Sequence, residues 1–207
     1  TVAALFLTVI VAFPAGIIAA VRRGRVSGYL VMFGALIGQS VALFWLGIML
    51  ILLFSVQLRL LPSFGRGGLE HLILPAVTLS SFLIARQTRL IRSGMIEVLG
   101  QDYIRTARSK GLSELVTIAR HAIRNMLLPI VAVLGLDVSF LISGSVITET
   151  VFSWPGMGHL MITSVLGRDY PVVQAVVFIV AIIVAVVNLF VDLAYRLLDP
   201  RIGFGTS

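Results

Sequence analysis

"GQDYIRTARSKGLSELVTIARHAIRNMLLPI", residues 100–130, changes character part-way along. It carries cations at Arg105, Arg108, Lys110, Arg120 and Arg124, and from Met126 it opens an apolar run that continues to Thr148. A cationic interval leading directly into about twenty apolar residues is the pattern of a connection between membrane-spanning helices.

The remainder of the chain follows the same pattern. Its 207 residues are 58% hydrophobic and 12% charged, with a mean hydropathy of +1.07. Soluble domains run near one quarter charged, so this chain has too few polar side chains to cover a water-soluble globule. Five apolar stretches are long enough to span, at about 2–21, 29–56, 72–91, 126–148 and 172–198. None alternates as a strand would, so helices are expected in place of a barrel. The second stretch is longer than a bilayer requires and is interrupted by Gly38-Gln39-Ser40, so it must tilt, kink or project. There is no cysteine, which excludes disulfides and cysteine-ligated metal or iron–sulfur sites.

The formal charge of +7 would suit nucleic acid, but the cations lie between the apolar stretches, and no nucleic-acid partner is expected. Arg22, Arg23 and Arg25 follow the first stretch, eight more cations lie between Arg86 and Arg124, and Arg196 and Arg201 lie at the C-terminus. Thirteen of the sixteen thus fall on one side, against Arg59, Arg66 and Arg168 on the other. The positive-inside rule makes the thirteen cytoplasmic, with segment 92–125 and the C-terminus, and puts Thr1 outside. An earlier span preceding Thr1 is then expected. The connections 57–71 and 149–171 are read as external.

Between Arg92 and Asn125 the sequence reads as helix, turn, helix. Ile104, Ala107 and Gly111 recur at spacings of three and four on one face, Gly111 suits a C-cap, and Ser113 suits the N-cap of a second helix ending near Asn125. The product is a compact protrusion whose small residues permit close approach by another surface. Arg105, Arg108 and Lys110 can pair there with acidic groups or anionic lipid. A plainer role, holding the topology at the headgroups, suits the same cations.

Residues 100–130 resemble the cytoplasmic coupling loop of ABC-importer permeases of the dipeptide, oligopeptide and nickel branch. In order along the chain, so do "RLLPSFGRGGLEHLILPAVTLS" (59–80), "ETVFSWPGMGHLMITSVLGRDYPVVQA" (149–175) and "NLFVDLAYRLLDPR" (188–201). The resemblance implies that Arg105, Thr106, Ala107, Arg108, Lys110, Gly111, Leu112 and Ser113 enter a cleft on a separate ATP-hydrolysing subunit. The general importer motif is Glu-Ala-Ala, three residues, Gly, nine residues, Ile, one residue, Leu-Pro. It maps onto Arg105-Thr106-Ala107 and Gly111, but His121 takes the Ile position, Ile123 and Arg124 take the Leu-Pro positions, and the real Leu128-Pro129 comes later. This departure is usual for the peptide and nickel branch. Arg105 carries the opposite charge from the motif's Glu, so a salt bridge from that position does not transfer.

Other candidates are weaker. "GRGG" at 65–68 lacks the Gly-Lys-Ser/Thr ending of a phosphate loop and reads as a turn. Asp137, deep in the fourth stretch, is either a lining of the solute path, meeting a peptide amine or metal cation, or a hydrogen-bonded aspartate between helices. Asn188 and Asp192, four apart, share a face of the last stretch, and the similar Asn-to-Asp pattern of the family it resembles favours a structural bond near the cytoplasmic end over a proton relay. His71, His121 and His159 lie on different connections without a helical ligand pair, so no metal site is expected. Ser143-Gly144-Ser145 suits close helix packing, as against an intramembrane protease nucleophile. Trp154, Pro155 and Gly156 form either a docking platform for a binding protein or a belt residue followed by a re-entrant turn.

The expected protein is therefore an all-α polytopic transmembrane bundle with the type I importer permease fold, in a bacterial cytoplasmic (inner) membrane. The resemblance implies a non-catalytic subunit of an ATP-driven importer, most simply for di- or oligopeptides, with nickel or metal chelates and glutathione as alternatives. It implies a second homologous permease, two ATP-binding subunits that use ATP and Mg, and an extracytoplasmic solute-binding protein; this chain itself binds no cofactor. The rival of another class, an ion-coupled secondary transporter, would need inverted repeats, which the sequence does not display.

Overall fold

The computed structural model describes residues 1–65 and 67–198, leaving aside the side chains at 127–129, 131, 132, 139, 192 and 194–198. Among the described residues every regular element is helical. Helix α1 (Val2–Val21) buries Ala4, Thr8, Ala12, Gly16 and Ala20, one small residue every fourth position. This stripe lies on α4 (Glu70–Leu99), where a Cβ on Gly16 would stand 2.5 Å from Cγ2 of Ile91. Between membrane helices, lipid is as apolar as the partner, so close backbone approach supplies the attraction that hydrophobic burial cannot.

Helix α4 is the hub, covered by α1, α2 (Val26–Ser40), α3 (Leu43–Leu50) and α7 (Ile123–Val151). That cover explains its composition: Thr78, Ser80, Gln87 and Thr88 are all buried on it. Thr78 and Ser80 donate their hydroxyls to the carbonyls of Leu74 (2.8 Å) and Val77 (3.2 Å). By length and composition alone, three helical segments among the described residues can cross a membrane: Val2–Val21, Val133–Val151 and Tyr170–Val191. There are four if the bent α2–α3 pair counts as one, and α4 is not among them. A helix shielded from lipid by its neighbours need not be apolar all round. α4 also runs to Leu99, two turns past the expected end of the third stretch at 91, before Gly100 stops it.

The second apolar stretch is two helices, not one. It bends by 104° just after Gly38-Gln39-Ser40, where Val41 and Ala42 are extended (ψ 127° and 136°). Ser40 returns its hydroxyl to the Leu36 carbonyl at 2.9 Å, closing the end of α2. Beyond the bend, α3 continues as a π-helical segment, Ile51–Gln57.

The third departure lies after the polar turn. The short helix α6 (Glu114–Val116) does not stop near Asn125; it continues through a π-helical segment, Thr117–Ala122, directly into α7. No Gly or Pro occurs between Ser113 and Leu128 to break it. The connection expected over 149–171 also holds a helix, α8 (Met157–Leu166), packed on α7 and α9 (Tyr170–Leu198).

Three apolar clusters stack along the bundle. One, at the cation-rich end, joins Ala20, Ile91, Met95, Ile104, Ala122 and Met126. A middle cluster joins Ala4, Leu79, Leu83 and Leu141, beside stacked Phe82 and Phe140 rings 4.9 Å apart. The third, at the opposite end, joins Ile51, Leu74 and Phe152.

Candidate functional site

The polar turn is built from α5 (Asp102–Ser109) and α6. Ile104 and Ala107 are the buried residues of α5; Ile104 enters the cluster with Met95, Ala122 and Met126. Ala107 therefore faces this chain's own interior, so its smallness serves the seating of α5 and not the outer surface expected for it. Gly111, expected on the same helical face, lies past the helix end with φ +78°. The Gly111 N–H donates to the Arg108 carbonyl at 2.9 Å and the Leu112 N–H to the Ala107 carbonyl at 3.4 Å. This paired return is a Schellman termination, which needs a left-handed residue where glycine costs least. A Cβ at Gly111 would meet nothing within 4 Å, so conformation alone, not crowding, favours glycine there.

Ser113 then opens α6, its Oγ accepting from the Val116 N–H at 3.4 Å. Arg108 crosses the turn and donates from Nε and Nη2 to the two carboxylate oxygens of Glu114, at 3.1 and 2.6 Å. Hydrogen bonding to Glu114 raises the Arg108 guanidinium above its ordinary pKa. Arg105 lies 3.5 Å from Asp102 on the same helix. Arg105, Thr106, Arg108, Lys110, Gly111, Leu112 and Ser113 are all exposed. Sequence reading passed over the apolar part of this surface: Leu115 is 81% exposed, and Tyr103, Leu112 and Val116 in the same segment are exposed too. The available signal was an apolar pair, Leu115-Val116, in an interval otherwise too polar for membrane.

Asp137 is fully buried. Its Oδ1 accepts from Arg86 Nη1 at 2.9 Å and its Oδ2 from Gln87 Nε2, tying α7 to α4. This is the hydrogen-bonded aspartate between helices, and its carboxylate does not face an open path. At the opposite end from the turn, Glu149 accepts from the N–H groups of Gly158 (2.7 Å) and His159 (3.1 Å), capping the start of α8. A Cβ at Gly156 or Gly158 would stand 2.4 or 2.9 Å from that carboxylate, which is why glycines flank Met157. Trp154 is half-buried and bonds its N–H to the Glu149 carbonyl at 2.8 Å; Pro155 is exposed. The turn at Gly65 (φ +84°) meets this end through its N–H on the Phe152 carbonyl, at 3.1 Å. Gly144 packs against Leu79, and Ser145 donates to the Ile142 carbonyl at 2.8 Å. No group of three His, Asp or Glu side chains suited to a metal occurs among the described residues. Asn188 is exposed on α9; the pairing expected of it with Asp192 lies outside the described side chains.

Residues 12–204 match the family of binding-protein-dependent transport system inner membrane components. The chain belongs to this family. It is 41% identical over 232 aligned positions to the dipeptide transport system permease protein DppB of Escherichia coli K12, covering 97% of this chain and 68% of that protein. It is 42% identical over 204 positions to the glutathione transport system permease protein GsiC of E. coli O1:K1, covering 99% and 67%. Among solved structures it resembles a chain of the MetNI methionine ABC transporter in an inward-facing conformation. The TM-score is 0.77 at 18% identity, over 95% of this chain and 89% of that one. At that identity the likeness speaks for the fold, which is that of an importer permease. As a member of the family, the chain is a multi-pass inner-membrane permease of an ABC transporter, and the family's transporters work with ATPase and binding-protein components.

Proposed function

We propose that the chain is the non-catalytic transmembrane permease subunit of an ATP-driven importer for di- or oligopeptides. It pairs with a second homologous permease, receives solute from an extracytoplasmic binding protein, and is driven by two ATPase subunits seated on the Arg105–Ser113 turn, with that turn and the C-terminus cytoplasmic. The observation that carries the coupling role is the turn itself. It is exposed, mixes cations with Leu112 and Leu115, is fixed by a glycine termination and an Arg108–Glu114 clasp, and runs unbroken into α7. A motor that closes around it moves α7 as a body, and through Ile104 it also bears on α4 near Met95. Rigid tilting of these helices then alternates access to the path.

The peptide assignment is supported by the dipeptide permease among the relatives. The glutathione permease, at similar identity, favours glutathione, itself a small peptide, as the second reading. The test is ATP-dependent uptake into proteoliposomes holding this permease in its full-length form, its partner permease, both ATPases and the cognate binding protein, with labelled dipeptide, glutathione and a nickel chelate compared. Dipeptide uptake is the expected result. Uptake of glutathione alone moves the protein to the second reading, and uptake without ATPase subunits defeats both.

A further inference from the structure

A charge inside a helical bundle must face something polar. Arg86, counted by the sequence among the cytoplasmic cations, stands instead within the bundle, near the middle of the 30-residue α4, and Asp137 near the middle of the 29-residue α7. The pair stands between the middle apolar cluster and the cluster at the cation-rich end. Asp137 is wholly enclosed, whereas the Arg86 side chain is 39% exposed. Only Nη1 of its guanidinium is engaged, by Asp137; its other N–H groups make no hydrogen bond among the described residues. A guanidinium turned toward hydrocarbon at this depth would be costly, so the surface that exposes it is one that water or polar groups cover in the assembled transporter. Further along α4 toward the cation-rich end, Arg89 and Arg92 each bury an Nε that has no partner among the described residues.

We infer that Arg86, held by Asp137, whose other oxygen is taken by Gln87, is a binding site on the solute path for a carboxylate of the passing solute. The geometry reverses the sign expected when Asp137 is taken alone: the aspartate is consumed as an anchor, and what remains on offer is a fork of N–H donors. A planar guanidinium fixed on one side by a buried carboxylate presents its free edge in a set orientation, the arrangement that favours bidentate recognition of a second carboxylate. The net charge of the Arg86–Asp137 pair is zero until the solute arrives, so the site holds an anion weakly enough to release it. Arg89 and Arg92 extend the same sign along the helix.

This inference rests on the peptide-importer reading, and its test separates the two. In the reconstituted complex, uptake of labelled dialanine and of its C-terminal amide is compared for wild type, Arg86→Gln and Arg86→Lys. Taking the variant-to-wild-type ratio for each solute cancels any difference in delivery by the binding protein. Arg86→Gln is expected to slow dialanine about tenfold, the scale of one lost charge-assisted hydrogen bond, and to leave the amide within twofold. Arg86→Lys should fall between, keeping the charge without the fork. Equal losses for both solutes, or failure of both variants to assemble with the partner permease, would make Arg86 a structural or interface residue and overturn the inference. Wild-type complex that takes up neither compound faults the peptide reading instead.

Discussion

Arg108 closes over the Gly111 turn onto Glu114 with two hydrogen bonds, 3.1 and 2.6 Å, so that α5 and α6 are clasped by side chains as well as by backbone. Both partners are about half exposed, and such a pair contributes at most about 1 kcal/mol to stability. Glu114→Gln should therefore leave the fold intact, lowering the melting temperature of the purified permease by no more than about four degrees, since the cost is small. Its effect should appear in transport, as ATP hydrolysed per solute imported rising severalfold. Because the raised Arg108 pKa moves further above neutrality, the charge on this side of the clasp is lost only as pH rises through the arginine range, outside any physiological window. High salt should mimic the substitution.

Gly111 tests the backbone separately. At φ +78° a side chain costs about 1–2 kcal/mol whatever the space around it, and more if β-branched. Gly111→Asn should retain most ATPase binding, and Gly111→Val should lose most of it, in co-purification from detergent. Equal behaviour of the two would mean that the turn is not read in this conformation.

Leu115 has no packing role within the chain, being 81% exposed. Leu115→Glu should leave the thermal stability of the isolated permease within one or two degrees, a change of the size usual for surface substitutions. It should weaken co-purification of the ATPase subunits at least tenfold, as expected for an apolar anchor in an interface. Unchanged co-purification would place the motor contact elsewhere on the segment.

The α1–α4 contact predicts a compensating pair. Gly16→Val inserts atoms where Ile91 already stands at 2.5 Å, and overpacking of this kind costs about 1–3 kcal/mol. Ile91→Ala leaves a void. Together they should recover at least about 1 kcal/mol relative to the sum of the single effects, measured as a double-mutant cycle on thermal unfolding.

The bilayer setting, the all-helical class and the polar turn were legible because they rest on local signals: apolar length, cation placement, and Gly111 and Ser113 at helix boundaries. The places where sequence reading fell short are those where a neighbour decides. α4 looked like a short span ended by arginines, yet it is the hub and runs to Leu99, because surrounding helices take over the role of lipid. Ala107 looked like a surface residue until α5 packed it inward. Asp137 gave no hint of its partner, since Arg86 is fifty-one residues away in sequence. The Ala4, Thr8, Ala12, Gly16, Ala20 repeat was on view throughout and needed only α4 as its counterpart.

The unbroken helix from Glu114 to Val151 has a mechanical consequence. At about 1.5 Å per residue it is a rod of roughly 55 Å, longer than the bilayer is thick. One end carries the exposed turn; at the other, Val151 and Phe152 press on Gly47, and Glu149 grips the first turn of α8. Pivoting such a rod by about five degrees sweeps its far tip through roughly 5 Å, a displacement on the scale of one helical turn. A small push at the turn thus arrives at the opposite mouth as a full step.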